Sequence, residues 1–216
     1  MKDDNREIRS EAALNDSTLT CFVRDGFVVV KSLCAPPRLK EMREVAARDL
    51  LPLIGPVEFE ADLGYPGAPK NKRAEGGSTS RRLLSACDRD PVFFDWAKGP
   101  ILRDYLQLLL GSDELAMSQV HHNCIMTKHP GFSSVTMWHQ DIRYWSFLKP
   151  NLVSVWLALG EETKENGALM MIPGSHNLAL TENRLDEELF LRPDQPENRD
   201  MIDSAVVVEL GAGDVV

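Results

Sequence analysis

Apolar residues recur at three- and four-residue spacing in three parts of the first half of the chain, which is the period of an amphipathic helix. Asp16 or Ser17 caps the first predicted helix, and Pro36 opens the second. The third stretch covers residues 91–110 and is broken near Gly99. The pattern therefore predicts a group of helices in this half of the chain.

From residue 115 onward the pattern changes to short runs rich in Val, Ile, Met and Trp, which Gly, Pro or Asn separates. Such runs are typical of β-strands. The predicted strands cover residues 115–127, 135–144, 151–159, 167–172 and 205–209, with an earlier one at 27–30. Helices followed by a series of strands predict an α+β fold, with an antiparallel sandwich or barrel in the second half.

Residues 55–80 break both patterns because they are rich in glycine and proline. The composition predicts a long loop without regular structure. Such loops are often mobile covers over a site, and the alternative is a surface excursion remote from any site. The sequence alone favours neither of these two interpretations.

Length and composition fit one globular domain over residues 1–216, with 43% hydrophobic and 26% charged residues. The 33 acidic and 24 basic residues give a net charge of -9, which repels phosphate backbones and excludes nucleic acid as an expected partner. The N-terminus lacks the apolar segment of a signal peptide, and no run is long enough to span a membrane. Four scattered cysteines predict reduced thiols and a cytoplasmic location.

The most informative stretch is residues 136–141, which read Thr-Met-Trp-His-Gln-Asp. In an extended strand the side chains alternate, so His139 and Asp141 point to the same face. A neutral imidazole beside a carboxylate supplies two of the three ligands in the facial triad of non-haem iron oxygenases. The same His-x-Asp pattern also occurs in hydrogen-bonded surface pairs, so the pattern alone leaves both readings open.

A series of motifs follows in order from residue 128 to residue 176. Lys128 opens a Lys-His-Pro-Gly turn, Trp138 begins Trp-His-Gln-Asp, and Trp156 lies on the next apolar run. Asn-Gly-Ala-Leu and Pro-Gly-Ser-His complete the series. It resembles the phytanoyl-CoA dioxygenase family, and weaker matches extend to residues 22–30 and 213–216. The resemblance implies a double-stranded β-helix of the jelly-roll or cupin-like type, supported by N-terminal helices, with a metal site at its mouth.

The same resemblance implies a role for several side chains. His139 and Asp141 are the expected iron(II) ligands and catalytic residues. The expected pocket for the co-substrate 2-oxoglutarate takes four further residues: Trp156, Cys124, Arg82 and Lys128. Trp156 has an alternative role as a core residue, and Lys128 as a solvated turn residue. His121 and His122 are expected on opposite faces of a strand, as core or surface residues, with the alternative that the inward one supports the metal ligands. His129 and His176 are expected in turns.

In the family, the third ligand is a histidine that follows a Gly-x-Gly-Asp-Val-Val segment, and an arginine beyond it pairs with 2-oxoglutarate. This chain ends at that segment, with Val216. The expectation is a fragment that lacks the C-terminal strands, with a natural truncation as the alternative. The chain as given is therefore expected not to turn over 2-oxoglutarate.

The expected reaction couples oxidative decarboxylation of 2-oxoglutarate to hydroxylation of a small-molecule substrate by dioxygen. Asp141 occupies a position that is small in related halogenases, which favours hydroxylation. Two alternatives remain, a cupin-like metal-dependent hydrolase or isomerase and a non-catalytic binding protein with an incomplete metal site. Neither the identity of the substrate nor the oligomeric state follows from the sequence.

Overall fold

The computed structural model describes residues 16–216. The helices are α1 Asp16–Asp25, α2 Pro36–Leu50, α3 Ala86–Arg89, α4 Pro91–Ala97, α5 Pro100–Leu110 and α6 Pro196–Asp203. The strands are β1 Val57–Phe59, β2 Ser80–Leu84, β3 Cys124–Met126, β4 Leu169–Met171 and β5 Val206–Val208. Five short 3₁₀ turns connect these elements, and the one that concerns the site is Asp141–Tyr144.

The predicted helices are confirmed, and local chemistry explains where they begin and end. A proline opens α2, α4, α5 and α6, where its fixed φ suits the first turn and its missing N–H is not needed. The Asp90 carboxylate caps α4 by accepting a hydrogen bond from the Val92 N–H. Gly111 ends α5 in the left-handed conformation. None of the helices within residues 16–216 is long and apolar enough to cross a membrane.

The strands form two antiparallel sheets. In the first sheet the order is β1-β2-β3, with Arg82 opposite both Glu58 and Met126. In the second sheet β4 pairs with β5. Leu83 and Ile125 lie on the buried face of the first sheet and pack against the residues of α2 and α3. The opposite face, which carries Arg82, is only partly buried.

The residues around Val215 add a third antiparallel pairing. Val215 lies between Val30 and Leu157, and its backbone exchanges hydrogen bonds with Val30. On the other side, Trp156 exchanges two backbone hydrogen bonds with Val216. Val30 and Val215 then pack with the buried side chains of α5 in one core cluster. This pairing brings the segment before Trp156 next to the core.

The α+β class is confirmed, but several predicted strands are shorter than the apolar runs suggested. Of residues 115–127, only Cys124–Met126 forms a strand. The predicted strand at 135–144 is absent, since these residues end in the Asp141–Tyr144 turn, and the predicted strands at 27–30 and 151–159 are reduced to isolated bridges at Val30 and Leu157. The expectation of no regular element in residues 55–80 was wrong, because β1 lies there. A strand exists only where a partner backbone is available, and an apolar run does not show where that partner is.

Candidate active site

His139 and Asp141 lie side by side, although no strand is formed there and Asp141 begins a 3₁₀ turn. The Nε2 atom of His139 is 3.3 Å from Oδ1 of Asp141. The Nδ1 atom of the same ring is 2.7 Å from the carbonyl oxygen of Met137, which can only accept a hydrogen bond. Nδ1 therefore carries the proton of the neutral ring, and Nε2 presents its lone pair to the carboxylate.

This geometry fits a metal ion. Two electron-pair donors that face each other repel unless a proton or a cation lies between them. Neighbouring ligands in an octahedral site with bonds of about 2.1 Å are roughly 3.0 Å apart, close to the observed 3.3 Å. Within residues 16–216, no set of three or more His, Cys, Asp and Glu side chains forms a complete metal site. The third ligand stays a prediction.

The surroundings of Asp141 keep its carboxyl group ionised. Ser154 donates a hydrogen bond of 2.6 Å to Oδ2, and Nδ1 of His122 lies 3.6 Å from the same oxygen. Burial alone would raise the pKa of Asp141. The neighbouring imidazole of His139, the hydrogen bond from Ser154 and the imidazole of His122 together outweigh burial and hold the pKa of Asp141 below its usual value. The residue is therefore in the form that binds a cation.

His121 and His122 do not lie on opposite faces of a strand, so that prediction was wrong. Both have positive φ angles, 58° and 52°, which belong to a tight bend and not to extended backbone. Both imidazoles pack against Tyr144 and Trp145, with ring centroids 5.2–5.7 Å apart. Burial lowers the pKa of His122, and the charge of Asp141 opposes that effect.

Arg82 and Cys124 share one face of the first sheet, because Arg82 is opposite Met126 and Leu84 is opposite Cys124. The Nε atom of Arg82 is 3.4 Å from a Glu58 carboxylate oxygen, but it is buried without a hydrogen-bond partner. The guanidinium contributes to the electrostatics of both His122 and Cys124. Burial raises the pKa of the Cys124 thiol, which is therefore protonated at neutral pH.

The indole ring of Trp156 packs against the core, and its N–H makes a side-chain hydrogen bond. The indole N–H donates to both carboxylate oxygens of Glu162, at 3.1 and 2.9 Å. The ring packs against the core cluster of Ala158, Val208 and Leu210. Ser154, two residues earlier, reaches Asp141. The segment thus borders the site, and the predicted contact of Trp156 with 2-oxoglutarate stays a prediction.

The remaining predicted residues are at the edge of the site or outside it. Lys128 is largely exposed, yet partial burial of its amine and the charge of Arg81 lower its pKa. Its stem passes over Gly167. His129 and His176 lie in exposed turns, as predicted, and they bond to the Pro130 carbonyl and the Asn177 side chain, respectively. No contact joins either histidine to His139 or Asp141 in the part of the chain that the structure covers.

Sequence reasoning missed a buried ion pair next to the site. Nη1 of Arg81 is 3.2 Å from Oε2 of Glu60, and both side chains are buried. The same carboxylate oxygen accepts hydrogen bonds from the backbone and the hydroxyl of Ser134, and Arg81 also donates to the hydroxyl of Thr136. The sequence contains one signal for this buried pair. Consecutive residues of a strand point to opposite faces, so one of the adjacent Arg81 and Arg82 must face inward and needs a partner there.

Two aromatic rings enclose His139. The centroid of Phe190 is 5.6 Å and that of Tyr144 is 5.9 Å from the centroid of the imidazole, both in edge-to-face geometry. Phe190 is almost completely buried and contacts Tyr65 of the long loop on another side. The rings limit the positions that the imidazole can occupy, as a preorganised ligand requires.

Solved structures of other proteins show a similar fold. EctD from S. alaskensis with 2-oxoglutarate and 5-hydroxyectoine superposes with a TM-score of 0.66 and 21% identity, over 97% of this chain and 68% of that one. The epimerase SnoN, in complex with Fe3+ and alpha ketoglutarate, gives 0.64 and 19%, over 92% and 71%. At these identities the likeness shows the fold alone, and it confirms the cupin-like prediction.

Sequence comparison identifies the family. Phytanoyl-CoA dioxygenase 1 of rice is 30% identical over 94% of this chain and 80% of its own length. The ectoine dioxygenase of Sphingopyxis alaskensis is 27% identical over 81% of this chain, which spans 54% of that relative. The profile of the phytanoyl-CoA dioxygenase (PhyH) family matches residues 22–216, which contain the paired His139 and Asp141. The chain therefore belongs to the phytanoyl-CoA dioxygenase family of non-haem iron(II)- and 2-oxoglutarate-dependent oxygenases.

Proposed function

We propose that this chain carries the site of an oxygenase that hydroxylates a small molecule, with His139 and Asp141 as ligands of iron(II). The observation that carries the proposal is the pair of electron-pair donors, Nε2 and Oδ1, that face each other at 3.3 Å. Two contacts fix the orientation of these donors. The Met137 carbonyl bonds to Nδ1 of His139, which directs Nε2 toward Asp141, and the Ser154 hydroxyl bonds to the other oxygen of the Asp141 carboxylate.

Bound iron and 2-oxoglutarate supply the oxidising chemistry that hydroxylation requires. The protein residues provide orientation and keep water away. Phe190 and Tyr144 cover two sides of His139, and the low pKa of Asp141 keeps a negative charge available to the cation at neutral pH. Asp141 itself occupies a coordination position, so no halide is expected there and hydroxylation is the expected outcome.

Arg82 is the proposed anchor for a carboxylate of 2-oxoglutarate. Three observations support this role: the partly buried position, the Nε atom that has no hydrogen-bond partner, and the electrostatic contact with His122, which itself lies near Asp141. Cys124 shares the sheet face of Arg82, and Trp156 lies on the segment of Ser154, so both are proposed to line the same pocket. Lys128 adds positive charge near Arg81 and is proposed to border that pocket.

The proposed partners are a small-molecule substrate and dioxygen. The net charge of -9 argues against nucleic acid, because a phosphate backbone would be repelled. Cys21, Cys34, Cys87 and Cys124 are all free thiols in the structure, which supports a reducing compartment and therefore the proposed cytoplasmic location.

Metal titration tests the ligand assignment. Cobalt(II), a coloured substitute for iron(II), is titrated into the chain and into the variants His139→Ala and Asp141→Ala while the visible absorption is recorded. Each variant should bind at least about tenfold more weakly, because each has lost a metal–ligand bond. The matched control is His129→Ala, which removes an exposed turn histidine. Cobalt affinity that is unchanged in both ligand variants would refute the assignment.

The co-substrate is tested separately. Under anaerobic conditions, 2-oxoglutarate added to the iron-loaded chain should produce a charge-transfer absorption band, and Arg82→Gln should require several times more 2-oxoglutarate for the same band. Metal binding without any response to 2-oxoglutarate would instead favour a metal-dependent hydrolase or isomerase. Failure to bind metal at all would favour a non-catalytic binding protein.

A further inference from the structure

Arg143 lies two residues after Asp141, in the Asp141–Tyr144 turn, and is partly buried. Its Nη1 atom is buried and has no hydrogen-bond partner. The nearest carboxylate in the sequence, Asp141, is engaged by Ser154 and by histidines instead. No other acidic residue of the described chain forms an ion pair with Arg143, so its positive charge is not neutralised by the protein.

Aromatic stacking fixes the position of this guanidinium. Its central carbon is 3.7 Å from the centroid of Phe190 and 5.2 Å from that of Tyr144. These are the two rings that enclose His139. A single aromatic ring therefore separates the Arg143 guanidinium from the imidazole proposed to bind iron. Stacking uses the flat face of the group and leaves its N–H edges available.

Other arginines of the same region are paired. Arg81 meets Glu60, Arg82 meets Glu58 and Arg89 meets Asp49, each within 3.4 Å. A chain with nine more acidic than basic residues has enough carboxylates to pair every arginine. A partly buried arginine without such a partner is costly, because the guanidinium is always charged and its buried donors lose their hydrogen bonds to water. A bound anion would remove that cost.

We propose that Arg143 is a specificity-determining residue that binds a carboxylate of the molecule to be oxidised, so that the substrate is an organic acid. The inference rests on the proposed function, because the iron position is what makes the space beside His139 a substrate site. A guanidinium can donate two parallel hydrogen bonds to one carboxylate, which fixes both the position and the orientation of the bound acid. The rings of Phe190 and Tyr144 suit an apolar or aromatic part of the same molecule.

The probes are benzoate and benzamide, which share a ring and differ in the charged group. Their binding to the cobalt-loaded chain with 2-oxoglutarate is measured by calorimetry under anaerobic conditions. Benzoate should bind about tenfold or more tightly than benzamide, the effect of one charge-assisted hydrogen bond or more. Arg143→Gln should abolish the preference, and Arg143→Lys, which keeps the charge but not the two parallel donors, should keep part of it. Arg103→Gln, which removes an exposed arginine of α5, is the control that should change nothing.

The carboxylate that Arg143 binds could belong to the substrate or to 2-oxoglutarate, and the affinity for 2-oxoglutarate distinguishes the two. In Arg143→Gln it should change less than about threefold, whereas a loss equal to that for benzoate would show that Arg143 serves the co-substrate and would overturn the proposal. Equal binding of benzoate and benzamide to the unchanged chain, no binding of benzoate, or a preference retained in Arg143→Gln would overturn it as well. If any of these results overturns the role of Arg143 while cobalt binding still depends on His139 and Asp141, the proposed metal site is unaffected.

Discussion

Both oxygens of the Asp141 carboxylate have defined neighbours. Oδ1 faces Nε2 of His139, while Oδ2 accepts the hydrogen bond of the Ser154 hydroxyl and faces His122. A hydroxyl that holds one oxygen leaves the other oxygen directed at the proposed cation position. At the scale of single residues, Ser154 is therefore the contact that decides how well Asp141 is oriented.

Ser154→Ala should weaken cobalt(II) binding by about 10- to 100-fold, because partners that orient a metal ligand typically contribute that much to affinity. Ser154→Thr keeps the hydroxyl and should recover most of the affinity. The control is Ser118→Ala, an exposed serine whose hydroxyl bonds only to the Val120 carbonyl. Equal affinities for the alanine variant and the unchanged chain would mean that other contacts hold the carboxylate.

Glu162 has a pKa shift of the opposite sign to that of Asp141. Burial raises its pKa above the usual 4.5, and the hydrogen bond from Trp156 only partly offsets this effect. The native state then binds its proton more readily than the unfolded state, so the free energy of unfolding falls as the pH rises from 4.5 through the pKa of the folded state. The ionised form at neutral pH is a cost to the fold.

Glu162→Gln should therefore raise the free energy of unfolding at pH 7, because the neutral amide avoids the burial cost while its oxygen still accepts from Trp156. The gain should decrease as the pH falls toward 4.5 and should vanish below it, where the acid is neutral in both states. Urea unfolding at several pH values measures this. A gain that does not depend on pH would show that the amide acts through packing and not through charge.

At the scale of structural elements, the ion pair of Arg81 and Glu60 joins three parts of the chain. Glu60 follows β1 and Arg81 is on β2. Both bond to Ser134, and Arg81 also donates to Thr136, two residues that precede the proposed ligand His139. The long loop is tied to the same place, since Val135 donates a backbone hydrogen bond to Pro66. That this loop is a mobile cover, one of its two interpretations, stays a prediction, but Pro66 anchors it to the segment that precedes His139.

Arg81→Met should lower the free energy of unfolding by about 3–5 kcal/mol, because it leaves Glu60 buried and unpaired. Arg89→Met is the control, since it removes an equally buried arginine away from the site; its cost should be smaller because Asp49 keeps its ion pair with Arg48. Only Arg81→Met should also weaken cobalt(II) binding, because only this pair holds the segment before His139. Weaker cobalt binding in both variants would indicate a general effect of lost stability.

For the whole molecule, the local parts were predictable and the long-range parts were not. The helices follow from periodicity and from prolines at their first turns, and the His139–Asp141 pair follows from a spacing of two residues. Glu60, Arg81 and Ser134 meet across separations of 21 to 74 residues, which no local pattern contains. The bend at His121 and His122 was missed because positive φ angles are uncommon at histidine and no glycine marks the position.

The pairing of Val215 with both Val30 and Leu157 has a consequence for the biogenesis of the protein. The neighbouring contact of Lys31 with Asp214 closes a sequence separation of 183 residues, so this part of the core can form only after a long search. Until residues 213–216 are in place, the backbone on either side lacks its partner and apolar side chains are open to other chains. Newly made protein is therefore exposed to aggregation at this stage, and chaperones that shield it should increase the yield.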